Sequence, residues 1–301
     1  MAERSPKKQS GKTRQTTLEM VEEPEPAVPL TVEEFRNRIW NFYEKHKRPM
    51  LWRETFDPYA IVVSEIMLQQ TQVPRVMQKY PEFMEKFPGF QELAESSLPD
   101  LLKAWQGMGY NRRALSLQKL AGIVIANHGG ILPRDPEILA TFPGIGPATA
   151  SSIAAFAFNS PVVFIETNIR RVFIHCFFAD RENVHDSEIE PLVAAALDSE
   201  NPREWYWALM DYGTYLKNTQ GNANRRSAHY TRQSKFEGSR RQVRGAVLKS
   251  LLASPKQDIL NLQTGIDAPK ELLEEIVDEL VKEGFIIRNG EMVSIVNEGG
   301  R

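Results

Sequence analysis

The chain has 301 residues and a formal net charge of −2, with 42% hydrophobic and 25% charged residues, the balance of a soluble globular protein of more than one module. No apolar run approaches the roughly 20 residues of a membrane helix, and residues 1–10 are polar and lysine-bearing, without the apolar centre of a secretory signal, so a cytoplasmic protein is expected. A single cysteine, Cys176 in VFIHCFF, excludes an internal disulfide or a site of several thiolates, and five scattered histidines form no ligand pair, so no metal is expected.

Residues 1–30 run from a basic arm (Arg4, Lys7, Lys8, Lys12, Arg14) into an acidic, proline-bearing stretch (Glu22, Glu23, Pro24, Glu25, Pro26). Without apolar periodicity such a segment cannot offset its ordering entropy, and it reads as a disordered tail. Within it, RQTTLEM (14–20) faintly resembles a sliding-clamp-binding peptide but lacks the aromatic pair, and a plain solvated tail is the reading adopted. From Thr31 to about Phe236 the pattern is helix after helix, a first domain of all-α class over 31–236. Thr31 with Glu34 forms a capping-box pattern ahead of the stripe Phe35, Ile39, Phe42, Tyr43. Asp57-Pro58 caps and opens PYAIVVSEIMLQQ. Further helices are expected over SSLPDLLKAWQGM, over RRALSLQKLAGIVIANHGG with its glycine stop, and over ATASSIAAFAF.

The stretch 237–301 reads differently. RRQVRGAVLKSLLAS, DILNLQTG and APKELLEEIVDELVKEG predict three helices, and FIIRNGEMVSIV predicts two short strands turning at Asn289-Gly290. Three helices and a hairpin suggest a small winged-helix-like domain. Charge is uneven here: 217–249 holds nine basic residues against one acid, Glu237, whereas 255–301 holds ten acids against five bases. That polarity matters more to a polyanionic partner than the net charge does.

The sharpest local signal is FPGIGPATA, 142–150, between two helical stretches. Gly144 and Gly146 can adopt positive φ and admit another backbone closely, and the following helix presents N–H groups suited to a phosphate. Taken alone, the hairpin is equally a structural turn. Together with SEIMLQQTQV (64–73), WQGMGYNRRALSL (105–117) and FIETNIRRV (164–172), however, it resembles the helix-hairpin-helix DNA glycosylase superfamily, over about residues 34–217. Within that superfamily the resemblance is greatest to A/G-specific adenine DNA glycosylases.

The resemblance implies a division of labour between two carboxylates. Glu65, among Val62, Val63, Ile66, Met67 and Leu68, becomes the general acid that protonates the departing base; outside the motif it would read as a surface helix glutamate. Glu166, in PVVFIETN, stands where the superfamily has an aspartate that stabilises the sugar cation and activates water. Its extra methylene demands a shifted backbone or a folded side chain. Asn168 matches the polar partner of that carboxylate, with a helix N-cap as the alternative role. Ala148 stands where bifunctional relatives carry a Schiff-base lysine, which implies hydrolysis without a lyase step. Gln69 and Gln70, with Leu68, match residues that enter the duplex where a base is flipped out. Tyr110 is read as an aromatic wedge or, alternatively, one more core aromatic; Asn111 occupies the place of a frequent second tyrosine.

Two departures from the family follow. Lys217, Asn224, Ser227 and Gln233 lie where relatives carry four cluster cysteines, so no iron–sulfur cluster is expected. The basic stretch there, with Arg225, Arg226 and Arg232, is expected to bind phosphates instead, with a merely solvated basic loop as the alternative. The usual C-terminal domain that reads the opposite base is replaced by the winged-helix-like module, whose third helix is acidic and is expected to pack against the catalytic domain or make protein contacts, not to read bases. The function implied is a monofunctional base-excision repair glycosylase removing adenine opposite G or 8-oxoguanine in duplex DNA, acting as a nucleoid-associated monomer. A thymine or uracil mismatch glycosylase and a non-catalytic damage-binding protein are the alternatives.

Overall fold

The computed structural model describes residues 30–232 and 235–297. The tail and its RQTTLEM peptide lie outside these residues. Helix α1 (Val32–His46) starts at Thr31, whose hydroxyl accepts the Glu34 N–H while the Glu34 carboxylate accepts that of Thr31. Phe35, Ile39 and Tyr43 are buried on its inner face. Phe42, the fourth residue of the expected stripe, is half-buried and packs on the rings of Tyr212 and Tyr215. After a 3-10 turn at Leu51–Arg53, helix α2 (Pro58–Leu68) opens on the Asp57 cap with Pro58 in its first turn.

Helix α2 stops two residues earlier than expected. Buried Arg113 donates to the carbonyls of Ile66 (2.9 Å), Met67 (2.8 Å) and Gln69 (2.6 Å), taking up acceptors that a longer helix would use itself. Gln70 therefore leaves the helix in a left-handed conformation, φ 53°. The body is completed by α3 (Val73–Lys86), α4 (Phe90–Ala94), α5 (Leu98–Ala104), α6 (Arg112–His128), α7 (Pro136–Leu139), α8 (Pro147–Phe158), α9 (Thr167–Phe177), α10 (Asp186–Ala196) and α11 (Pro202–Thr219). The expected helix through WQGM ends at Ala104, because Gly107 and Gly109 turn the chain with φ of 88° and 67°. Gly129 closes α6 in the left-handed region, as the glycine stop predicts. One aromatic-rich core, including Phe35, Trp105, Phe173, Trp205 and Tyr206, unites these helices, and Cys176 is buried within it.

The C-terminal region comprises α12 (Arg240–Ala253), β1 (Lys256–Asp258), α13 (Ile259–Gly265), α14 (Lys270–Lys282), β2 (Ile286–Asn289) and β3 (Met292–Ile295). Its sheet is antiparallel in the order β1-β3-β2. Strand β1 is absent from the sequence reading, since three polar residues, KQD, show no periodicity. Asn289 pairs with Met292, so the hairpin turns at Gly290-Glu291, one residue later than expected, with Gly290 at φ 61°. The second core of Val247, Leu251, Ile276 and Phe285 also takes in Leu98 and Leu102 of α5, which fastens this module to the helical body.

Candidate active site

Helices α2, α8, α9 and α11 enclose a cavity of about 270 Å³ lined by Glu65, Gln69, Ala148, Ser152, Glu166 and Asn168, among others. Its volume lies at the lower limit of small-molecule pockets, about 300 Å³. Glu65 sits on a helix otherwise almost wholly buried, and its Oε2 accepts a hydrogen bond from the hydroxyl of Ser152 at 2.6 Å. Burial pushes the Glu65 carboxyl up to about 7; the Ser152 bond opposes the rise, the charge of Glu166 adds to it, and Arg53 counters it.

Glu166 is held differently. It is the N-cap of α9: Oε1 accepts the backbone N–H of Asn168 (2.6 Å) and of Ile169 (3.0 Å), and Oε2 accepts Nδ2 of Asn168 (3.3 Å). The longer side chain is thus folded back onto its own helix, which accommodates the extra methylene. Capping falls to Glu166, not to Asn168, whose amide braces the carboxylate and whose Oδ1 accepts from Arg171 at 2.7 Å. Burial raises the Glu166 pKa, against the pull of the Ile169 and Asn168 N–H groups and the Arg171 charge. Both Glu166 oxygens are engaged by donors, whereas Glu65 receives one hydroxyl. Room for a proton is therefore greater on Glu65.

Several participants were not legible in the sequence. Asp211 of α11, fully buried at its side chain, accepts Nε of Arg48 (2.7 Å) and both terminal nitrogens of Arg53 (2.8 and 2.9 Å), and the Arg53 guanidinium lies 5.4 Å from the Trp207 ring centroid. Arg48, Arg53 and Trp207 form one cavity wall. In the segment LMDYGTYLK (209–217) nothing local marks this aspartate as an arginine partner. Gly213 lets α11 meet α9: a Cβ there would stand 2.7 Å from the Asn168 carbonyl and 2.8 Å from its Cβ. Ser152 lies in the run ATASSIAAF, where small residues signal close packing and nothing marks one hydroxyl as a carboxylate partner.

The remaining predicted residues divide. Gly144 has φ 81° and a Cβ there would meet Ser116 at 2.8 Å, so the hairpin requires glycine at that position. Gly146 does not share this property: it caps α8 with φ −91° and open space beside it. Gln69 Nε2 donates to the Gly144 carbonyl at 3.1 Å, tying the hairpin to the cavity. Gln70 and Tyr110 face a second cleft, away from the carboxylates. Arg225 and Arg232 are exposed and line neither cavity. Arg226 turns inward and donates to the carbonyls of Phe178 (2.6 Å) and Ala179, so its expected place at a phosphate is taken by internal acceptors.

The cluster position holds no thiolate set. Asn224 is buried and donates to the Thr167 carbonyl at 2.8 Å, Ser227 is buried beside Val184, and Lys217 is exposed. Gln233 lies outside the described residues. Iron–sulfur clusters take thiolate ligands, and this donor set does not fit one.

Residues 63–193 match the family model described as HhH-GPD superfamily base excision DNA repair protein. The chain is 39% identical over 152 residues to an adenine DNA glycosylase of Mycobacterium tuberculosis (strain ATCC 25618 / H37Rv), covering 50% of this chain and 49% of that protein. It is 29% identical over 268 residues to an adenine DNA glycosylase of Mycolicibacterium smegmatis, covering 81% of this chain and 92% of that protein. The chain therefore spans about half the length of the M. tuberculosis protein and most of the M. smegmatis one. Among solved structures, a thermostable thymine-DNA glycosylase aligns with a TM-score of 0.57 at 25% identity, over 64% of this chain and 90% of that one. Motif order, helical architecture and the match over residues 63–193 agree in likening the chain to the HhH-GPD superfamily of base excision DNA repair proteins.

Proposed function

We propose that this protein is a monofunctional DNA glycosylase that hydrolyses the N-glycosidic bond of a mispaired adenine in duplex DNA. The observation that carries the reading is the pairing, in one cavity, of two carboxylates with unlike hydrogen bonding. Glu65 donates its proton to the purine ring as the base departs. Glu166 acts in its ionised form, which the N–H donors of α9 and the Arg171 charge favour against burial, and offsets the positive charge that develops on the sugar. Water then adds to the anomeric carbon and loses a proton to Glu166, leaving an abasic site and free adenine; release of that proton to solvent and uptake of one by Glu65 restore both carboxylates. Asn168 orients Glu166, and Arg171 holds Asn168 in turn.

The absence of a lyase step is supported by Ala148, which lines the cavity in place of a lysine; the cationic residues lining it are Arg48 and Arg53, whose guanidinium groups form no Schiff base. The reaction is written without an iron–sulfur cluster, since the chain has one cysteine. Duplex DNA with a mismatched or oxidised base is the proposed partner, and a monomer the proposed state. The likeness to a thymine-DNA glycosylase keeps one second reading, mismatched thymine or uracil. One assay tests both: incubation with duplexes containing A:8-oxoguanine, A:G, T:G and U:G, followed by alkali. Strand breaks after alkali at the two adenine duplexes are expected. Release confined to T:G or U:G assigns the second reading, and breaks before alkali, with a borohydride-trapped adduct, refute the monofunctional step.

A further inference from the structure

A second and larger cleft, about 1020 Å³, runs between the helical body and α12. Gln70, Arg75 and Tyr110 line one side; Arg241, Gln242 and Lys249 line the other. Gln69 lines both this cleft and the carboxylate cavity, so the two lie on either side of a single turn. On the reading that the substrate is duplex DNA, we propose that this cleft holds the strand opposite the one being hydrolysed, with α12 as its wall and phosphate-binding element.

Four observations support the assignment. The first is shape: if a nucleotide leaves the duplex toward Glu65 past Gln69, its former partner faces the other side of the same turn. The second is strain. Gln70 and Tyr110, two of the four described non-glycine residues at positive φ, both face the cleft, with φ of 53° and 48°, and left-handed residues held at a cleft are a mark of function. Charge is the third. Arg75 and Lys249 are exposed cations on opposite walls, and the acid lining the cleft, Glu279, is held by Arg240 and Arg244. Arg241 lies over the Tyr110 ring at 5.3 Å and donates to its hydroxyl, joining the two walls, and Phe236 is 61% exposed on the same cleft, a surface on which a base can stack. The fourth is Gly245. It sits within α12, where glycine costs about 1 kcal/mol relative to alanine, and nothing lies within 4 Å of the Cβ it lacks. A bare helix face in a cationic cleft admits a sugar-phosphate backbone at close range.

This assignment gives the DNA contact to α12 and leaves the acidic third helix, as expected, without base readout. Four of the five acids of α14 are paired within the protein: Glu275 and Glu279 with Arg240, Glu279 with Arg244, Glu274 and Asp278 with Arg288, while Glu283 just beyond the helix holds Arg244 and Arg112. They do not front the cleft as a group; α12 does.

The test uses the full chain carrying Glu65→Gln, so that the DNA stays intact, with Lys249→Glu or Gly245→Leu added. Two probes are compared over a salt series: a fluorescent duplex with an A:G mismatch, and the adenine strand alone. Gly245→Leu improves helix propensity and fills the cleft, so a loss of binding with an unlowered melting temperature is not a folding defect. Each variant is expected to weaken duplex binding by about tenfold or more, with Lys249→Glu flattening the salt dependence by at least about one unit of slope. Binding of the single strand is expected to be unchanged. Equal losses on both probes, or no loss on the duplex, overturn the proposal. Base release by the parent protein is scored separately, so failure of the proposed reaction is told apart from failure of the cleft.

Discussion

The hydroxyl of Ser152 has one proton and two acceptors, Glu65 Oε2 at 2.6 Å and the Thr149 carbonyl at 3.0 Å. When Glu65 is ionised the proton serves the carboxylate; when Glu65 is protonated the hydroxyl can accept from it and donate to the carbonyl. This bond lowers a carboxyl that burial raises to about 7. On the proposed reaction, base release that needs protonated Glu65 is expected to be full below about pH 7 and to fall as pH rises through it. Ser152→Ala removes a group that favours the ionised form, so the alkaline limb of the pH–rate profile is expected to move upward, with Ser152→Thr restoring it; a limb that stays in place shows that the bond does not tune the acid. Glu65→Gln cannot donate the proton and is expected to slow base release by roughly 10²–10⁴-fold with DNA binding retained. The same change should stabilise the fold near neutral pH. A buried acid raised in the folded state loses stability as pH climbs from the unfolded value through about 7, and glutamine escapes that cost, on the order of 1–3 kcal/mol. Thermal melts of both proteins across that pH range check the sign.

At the scale of helices, the site depends on how closely α9 lies against α11. Gly213→Ala places a methyl group against the Asn168 backbone at 2.7 Å, where a main-chain atom cannot rotate away. The N-terminus of α9, which carries Glu166 and Asn168, must then shift. The expected result is a loss of about 1–3 kcal/mol of stability and a fall in base-release rate out of proportion to any loss of duplex affinity. Equal falls in rate and affinity would indicate general unfolding, not displacement of the carboxylate. Arg113 does a related task between elements: one buried guanidinium satisfies carbonyls at the end of α2 and those of Met108 and Gly109 before α6. It fixes the turn carrying Gln69 and Gln70 relative to Tyr110, the residue whose ring lies 5.5 Å from it.

Across the whole molecule, the segment where the resemblance places cluster cysteines is pinned here by hydrogen bonds. Asn224 reaches Thr167 next to Glu166, Arg171 bonds Asn222, and Arg226 reaches the carbonyls beyond α9. Purified protein is expected to be colourless and to retain base release in chelator. Stoichiometric iron, or activity lost on chelation, would contradict this. The C-terminal module is joined through Leu98 and Leu102 and by the Arg112–Glu283 ion pair, so both cleft walls share one packed support.

What the sequence determined by itself was local chemistry. Thr31 with Glu34, Asp57 with Pro58, and Gly129 mark helix ends because caps and stops act over a few residues, and they stand where the residues say. The motif blocks carried the resemblance to helix-hairpin-helix glycosylases and marked Glu65, Glu166 and Asn168 as candidates. Only the tertiary structure decided their neighbours. Ser152 reaches Glu65 across 87 residues of chain and Asp211 reaches Arg48 across 163, separations over which neither periodicity nor spacing carries a signal. Charge alone is silent for the same reason: Arg226 donates to carbonyls, and acids of α14 pair with arginines, that only folding brings to them. A side chain's type fixes which bonds it can make, and packing fixes which partner it meets.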